Sequence, residues 1–307
     1  MNYTLHQLQI FLKIAELKSI TKASEALYLT QPAVSIQLKK FQDQFSIPLT
    51  EIVGRQLYVT DFGQEIAQAA QTILDQVEQI NYRSQAFQGQ ISGKLKIAIV
   101  STAKYLMPYF LSEFMQQNKA VDLDMNVTNK ATVVNSLESN EVDFAMVSVI
   151  PDQIKLERVE LMQNKLFLVG GQRYEADGRP SGKKVLTELP LIYRERGSAT
   201  RAAMEEFISK NKLPTSKNIT LQSNEALKQA VISGIGYSIM PLIGIRNDLQ
   251  NGDLQIIPYQ GLPVKTTWNL VWRSAKKLSP VAEAYLNYVN DNKDRIIKDT
   301  FDWFEKY

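Results

Sequence analysis

Along the first ninety residues apolar positions recur three or four apart; beyond them, short β-branched runs alternate with helical stretches. Leu5, Leu8, Phe11, Leu12 and Ala15 mark one helix face. Ser19 and Thr21 offer N-caps to a second, short helix, where Ala23, Ala26 and Leu27 form a face small enough for a neighbour to approach closely. Thr30 offers a third cap, with Pro32 in the first turn, where a missing N–H does no harm. Val34, Leu38, Phe41 and Phe45 give the third face. Only about three residues separate the second and third helices, the tight turn of a helix-turn-helix arrangement. Around Gly54-Arg55, Leu57 and Val59 alternate with polar neighbours, which predicts a small β-wing. A long helix then starts near Asp61, with Phe62, Ile66, Ala69, Ile73, Val77, Ile80, Ser84 and Phe87 on a narrow seam. The seam suits either a dimer contact or packing on its own domain. So few apolar residues remain to cover it that dimerisation through Ile66, Ile73, Val77 and Ile80 is the expectation.

Gly89 to Gly93 is a small-residue punctuation, and the domain boundary is placed there. Strands are predicted at 94–100, 123–128 and 144–149, with helices at 105–117, capped by Ser101 and Thr102, and at 131–139 between them. A second half begins near Gln163, with strands at 166–169, 191–193 and 237–240 and helices at 200–212 and 224–233. A strand at 266–272 returns to the first half, followed by a helix at 280–292. This alternation predicts a parallel sheet with covering helices, in two lobes with chain crossings. Ile296, Ile297, Phe301, Trp303, Phe304 and Tyr307 predict a last amphipathic helix over 294–307, set on its own domain or on a second subunit.

Composition narrows the chemistry. A chain of 307 residues with 44% hydrophobic and 22% charged residues has room for about two globular domains. The lack of cysteine removes disulfides, thiolate metal sites and cysteine nucleophiles, and the single histidine, His6, leaves no Cys/His zinc site. No metal or cofactor is therefore expected. The net charge of +3 does not announce a polyanion partner, and over residues 1–90 acids outnumber bases by one. That objection to a nucleic-acid partner is softened by Lys39, Lys40 and Arg55, which fall near one helix face. With no apolar run of about 18 residues and no basic flank before an apolar run at the start, neither a membrane span nor a secretory signal is expected; the expected place is the cytoplasm.

The outward face of the third helix carries Gln31, Ser35, Ile36, Gln37, Lys39 and Lys40. Glutamine can address adenine edges, serine a base or a phosphate, and lysine a phosphate or guanine. Read alone, the face is first of all a solvated helix surface. In the second block the strand ends carry Ser101 and Thr102, Thr128 and Asn129, and Ser148. Such ends are where open α/β sheets hold ligands and where helix N-termini favour anions. Arg194-Glu195-Arg196-Gly197-Ser198-Ala199-Thr200-Arg201 combines arginines, a glycine and hydroxyls before a helix, with Arg196, Ser198, Thr200 and Arg201 as candidate anion contacts. A capped helix start with surface arginines remains the plainer reading. Gly234-x-Gly236 follows a helix and precedes a strand, the reverse of a dinucleotide fingerprint.

Leu5-x-x-Leu8-x-x-Phe11, Ala15, Ser19 to Leu27, Thr30 to Leu38, Pro48-Leu49, Glu51, Gly54-Arg55, Thr60 and Gly63 together resemble the LysR-type bacterial transcriptional regulators over about sixty residues. The resemblance implies a winged helix-turn-helix (1–60), a linker and dimerisation helix (61–88) and an effector-binding domain (89–307). The last is a two-lobed α/β fold like the periplasmic binding proteins, with lobe I at about 93–162 and 266–292 and lobe II at about 163–265. It implies that Thr21, Thr30 and Pro32 join the outward face in contacting promoter DNA, that the chain forms dimers or tetramers, and that RNA polymerase is a partner. It also implies a small, anionic effector in the cleft, with Ser238, in Gly236-Tyr237-Ser238-Ile239, among its contacts. The 194–201 run looks like that of a subgroup that includes regulators of carbon-fixation and sulfur-assimilation operons. The chain departs from the family at Thr50-Glu51-Ile52, near Ile36, where a basic residue is usual, and at Phe41-Gln42. A solute-binding protein or an enzyme on the same bilobal fold are the other classes. The N-terminal block opposes the first, and the lack of cysteine and of any histidine beyond His6 opposes the second.

Overall fold

A computed structural model describes residues 2–54, 56–86, 90–172, 190–213 and 218–307, in two compact units, 1–89 and 90–307. In the first unit, α1 (Leu5–Leu17), α2 (Ile20–Ala26) and α3 (Gln31–Gln42) precede a hairpin of β1 (Thr50–Val53) and β2 (Gln56–Val59) and a long helix α4 (Asp61–Ala86). Thr4 and Gln7 form a reciprocal capping box at the start of α1. At α2 the cap is Ser19, whose hydroxyl accepts from the Lys22 N–H, and Thr21 lies inside the helix. Thr30 occupies the cap position of α3 without a side-chain hydrogen bond, so the expected hydroxyl cap is absent there. Ile10, Phe11, Ile14, Ala23, Val34, Leu38, Phe41 and Leu49 share one core with Ala67 and Ala70 of α4. The first turns of α4 are thus part of this unit's core. A Cβ at Gly63 would stand 2.1 Å from the Leu49 carbonyl oxygen, so only glycine lets α4 lie this close to the chain entering the wing.

The second unit is built on β3 (Ser92–Val100), α5 (Met107–Gln117), β4 (Ala120–Thr128), α6 (Lys130–Glu138), β5 (Phe144–Val147) and β6 (Leu156–Gly171). There follow β7 (Leu191–Arg194), α7 (Ala199–Lys210), β8 (Asn218–Leu221), α8 (Asn224–Ile232), β9 (Ser238–Pro241), α9 (Arg246–Gln250), β10 (Leu254–Ile256), β11 (Val264–Arg273) and α10 (Pro280–Phe301). A seven-stranded sheet runs β10-β6-β11-β5-β3-β4, with β9 also paired to β6, and β7 pairs β8 in parallel. The sheet is mixed. β3 is parallel to β4 and β5, but β11 runs antiparallel to both β5 and β6, against the expected parallel sheet. The expectation missed the returning strand's direction because alternation of elements says nothing about strand sense once a chain crosses between lobes.

β3 is almost wholly buried, as a central strand covered on both faces must be. Its neighbour β4 is an edge strand and is mostly exposed. β6 starts ten residues before the sequence expectation, and β11 pairs with it from Leu156 to Leu166 with a register shift between Thr267 and Asn269. These two strands tie the lobes together. Along β6, Leu166 and Leu168 enter one core with Tyr193, Phe207 and Ile239, while Phe167 and Val169 enter the larger core with Leu95, Phe110, Trp268 and Tyr285.

Two further expectations are corrected. Ser101 and Thr102 do not cap the helix after β3: Ser101–Tyr105 is a 3-10 turn and α5 begins at Met107, with no side-chain cap. The two C-terminal helices predicted at 280–292 and 294–307 are one, α10, followed by a 3-10 turn, Asp302–Lys306. Ile296, Phe301 and Phe304 are buried in the larger core, so the tail packs on its own domain.

Candidate functional site

In the first unit, α3 turns Val34, Leu38 and Phe41 inward and leaves Gln31, Pro32, Ile36, Lys39 and Lys40 exposed, with Ser35 and Gln37 half-buried. Thr21 is exposed and its carbonyl accepts from the Ser24 hydroxyl. The turn between α2 and α3 passes through Tyr28, whose φ of 56° is left-handed and whose ring is almost fully exposed. Thr30 is exposed too, its hydroxyl free of any capping role. The face therefore carries amide, hydroxyl, cationic and apolar groups on a rigid helix. Arg55 lies outside the described residues. On α4, Ile66 packs on its own unit's core, Val77 is half-buried, and Ile73 and Ile80 are exposed, Ile80 at 67%. Phe87 lies outside the described residues.

In the second unit the carboxyl ends of β3, β4 and β7 meet. Arg194, the last residue of β7, is only 3% exposed. Its Nη2 donates to Ser101 Oγ at 3.1 Å, just past the end of β3, and its Nη1 to Asn224 Oδ1 at 2.7 Å, in the first turn of α8. Nε and Nη2 also grip both carboxylate oxygens of Glu195, at 2.9 and 3.0 Å. Gly197, with φ of 88°, folds the chain over so that a Cβ there would lie 3.5 Å from Ala131 Cβ and 4.0 Å from Asn129 Oδ1. Asn129 caps α6, Ser198 caps α7 and Ser223 caps α8. The N-terminus of α8 thus meets the buried Arg194 guanidinium through Asn224, while those of α6 and α7 lie beside Gly197 and Ser198, three and four residues further along the chain; each brings the partial positive charge of its N-terminal N–H groups.

The sequence-derived candidates divide on this geometry. Ser101, Asn129, Ser198 and Arg201 lie within the junction; Arg201 donates from Nη1 to the Arg194 carbonyl at 2.9 Å and from Nε to Glu205 at 2.7 Å. Thr102 is buried in the 3-10 turn and Thr200 in the first turn of α7. Thr128 is the last residue of β4, beside Val100, and Ser148 follows β5. Arg196 is exposed. Ser238 is fully buried on β9, where its hydroxyl donates to the Ile192 carbonyl at 2.6 Å and ties β9 to β7. Sequence reasoning passed over Arg194 and Asn224. The arginine stood in the quoted run, but nothing local distinguishes the one arginine that ends a strand from those that follow it. Tyr193, over which the Arg201 guanidinium sits at 5.4 Å, has its phenol pushed up by burial and then by the Glu205 carboxylate, so it remains neutral. Beside the junction, burial pushes the Lys228 ammonium down, but the hydrogen bonds it donates to the Asp248 and Glu225 carboxylates, with their charge, hold it above its ordinary value. Gly236 sits where a Cβ would meet the Pro190 carbonyl oxygen at 2.2 Å, a packing role consistent with the rejection of a nucleotide fingerprint.

Comparison with known proteins places this geometry. A family profile described as the bacterial regulatory helix-turn-helix protein of the lysR family matches residues 5–64, and one described as the LysR substrate binding domain matches residues 88–294. The HTH-type transcriptional activator CmpR of Synechocystis sp. is 34% identical over 290 residues, which span 94% of this chain and 95% of the relative. The RuBisCO operon transcriptional regulator of Allochromatium vinosum is 33% identical, covering 94% and 96% respectively. The regulatory domain of Synechocystis PCC6803 CcmR, solved in complex with 2-PG, is 28% identical and superposes with a TM-score of 0.62, over 66% of this chain and 98% of that domain.

Proposed function

The chain belongs to the LysR family of bacterial helix-turn-helix transcriptional regulators, and from that premise we propose how its two units divide the work. The N-terminal unit binds promoter DNA. Its contacts are Thr21, Thr30, Gln31, Pro32, Ser35, Ile36, Gln37, Lys39 and Lys40, with Arg55 of the wing on the phosphate backbone. Two chains pair through Ile73, Val77 and Ile80, whose spacing of four and three residues suits a helix–helix seam. Ile66 serves the unit's own core rather than the seam. Dimers, or dimers of dimers, then set the distance between DNA-binding heads, and RNA polymerase reads the result. A DNA-bound regulator of this kind works in the cytoplasm, and the chain acts by binding rather than by turnover. Among the described residues no helix is long and apolar enough to cross a membrane.

The C-terminal unit senses a small anion, and the observation that carries this is the placing of the α6, α7 and α8 N-termini along the Arg194–Ser198 run. Glu195 neutralises Arg194, so the net attraction for an anion falls to the helix N–H groups, Arg201, Arg196 and the nearby hydroxyls of Ser101, Thr102, Thr128, Ser148, Ser198 and Thr200. Ser238 supports the site by holding β9 on β7. The similarity to a domain solved with 2-PG and to a RuBisCO operon regulator favours a small anionic metabolite linked to carbon fixation. An anion seated there touches both lobes, and only a ligand that binds one lobe arrangement better than the other shifts their populations.

The test is thermal unfolding of the full chain with 2-PG, other phosphorylated and carboxylated metabolites, and chloride at matched ionic strength. A ligand at 100 times its dissociation constant stabilises by about 2.7 kcal/mol. We expect one such metabolite to raise the midpoint, and Thr200→Ala or Arg201→Ala to remove that rise. Retention of the full rise in both variants would move the site elsewhere.

A further inference from the structure

Ile36 is 54% exposed at the centre of the α3 face that looks away from the core. It belongs neither to the unit's buried cluster nor to the partly buried side chains packed on it. Pro32 lies one turn before it and Lys40 one turn after, with Lys39 beside that, all exposed. A β-branched residue at such a position is costly twice: it restricts its own rotamers in the helix, and it leaves an aliphatic surface in water. Packing within the unit does not account for it. Two adjacent lysines make the same face attractive to a phosphate backbone.

Resting on the DNA-binding reading above, we propose that Ile36 is a specificity-determining residue that reads the 5-methyl group of a thymine in the major groove. In that groove thymine alone presents a methyl group; guanine, cytosine and adenine present acceptors, donors or both. An isoleucine can neither donate nor accept. Against a guanine or cytosine edge it would strip water from polar atoms and return nothing, so it selects thymine by contact and rejects the others by leaving their edges unpaired. A basic residue at this position would favour guanine instead. The substitution changes which base is read, while Lys39 and Lys40 keep the sequence-independent hold on phosphates.

The experiment selects bound duplexes from a randomised pool with the full-length protein and then measures affinity for duplexes in which single selected thymines are replaced by uracil, which differs only by the methyl. We expect one thymine per half-site whose replacement weakens binding about fourfold, the worth of one buried methyl group. In Ile36→Ala the thymine and uracil duplexes should bind alike, and Ile36→Arg should shift selection at that position to guanine. Lys40→Ala should weaken both duplexes equally. Equal affinity of the unaltered protein for thymine and uracil at every selected position would overturn the assignment, as would a thymine preference that survives in Ile36→Ala. So would a change in oligomeric mass in Ile36→Ala with sequence selection intact, since Ile36 would then be a protein contact. Failure to select any duplex would instead sink the DNA-binding reading on which the proposal rests.

Discussion

Arg194 shows what a single residue contributes beyond its charge. A guanidinium cannot lose its proton, so burying one is tolerated only when its N–H groups find partners. Here Glu195, Asn224 and Ser101 supply them from β7, α8 and the turn after β3. The arginine is therefore a strut between lobes. Arg194→Met should cost about 3 kcal/mol in urea unfolding of the full chain, because it leaves the Glu195 carboxylate and the Asn224 carbonyl with no donor in a partly buried site. Arg194→Met combined with Glu195→Gln should recover part of that loss. An unchanged unfolding midpoint in the single variant would show the strut to be inert. Tyr285 is the contrary case: its hydroxyl is buried in the larger core with no hydrogen-bond partner. Tyr285→Phe is therefore expected to keep or raise the thermal midpoint, by up to about 1 kcal/mol of stability. A clear drop would reveal a buried water or another partner for that oxygen.

At the scale of elements, the C-terminal segment is the most informative. Its apolar residues were legible, but their continuity with the preceding helix was not, because Asn290 to Arg295 is polar on every side and reads as a break. The 3-10 turn after α10 is clasped to β6 and to the start of α9. Lys165, itself buried, donates from Nζ to the main-chain oxygens of Phe304 and Tyr307 at 3.2 and 3.0 Å and pairs with Glu305 at 3.4 Å. Arg246 sits over the Trp303 ring at 4.6 Å. Lys165→Met keeps the length and apolar stem but removes the charged donor, and it should cost about 2 kcal/mol in urea unfolding. The tail of that variant should be cut faster by trypsin beyond Lys298. Equal cleavage rates would mean that Phe301 and Phe304 hold the turn unaided. The length of β6 was missed for a related reason: its first residues, Leu156-Glu157-Arg158-Val159-Glu160, carry three charges, and Glu157 and Arg158, on opposite faces, are both exposed, so no hydrophobic alternation marks the strand there.

At the scale of the molecule, the proposed function calls for copies of the chain acting together. A regulator that binds paired half-sites needs two heads at a set distance, and α4 is the element that can set it. Ile73→Glu with Ile80→Glu should yield a monomer by light scattering and weaken operator binding by far more than loss of one lysine would. A dimer of unchanged mass in this double variant would place the seam elsewhere. The helices of the first unit and the βα alternation of the second were both readable, since each rests on local periodicity and capping.

What the residues determine by themselves is local: which stretches are helix or strand, and where most of the turns between them fall. The tertiary structure alone decides whatever depends on meeting across distance. It makes the sheet mixed, because β11 returns between β5 and β6. It buries Arg194 and leaves Arg196 in water, although the two stand two residues apart. It brings three helix N-termini to the Arg194–Ser198 run, and it requires glycine at 63 because Leu49 lies against it. Periodicity reports which side of an element faces inward; only the packed chain determines what that side meets.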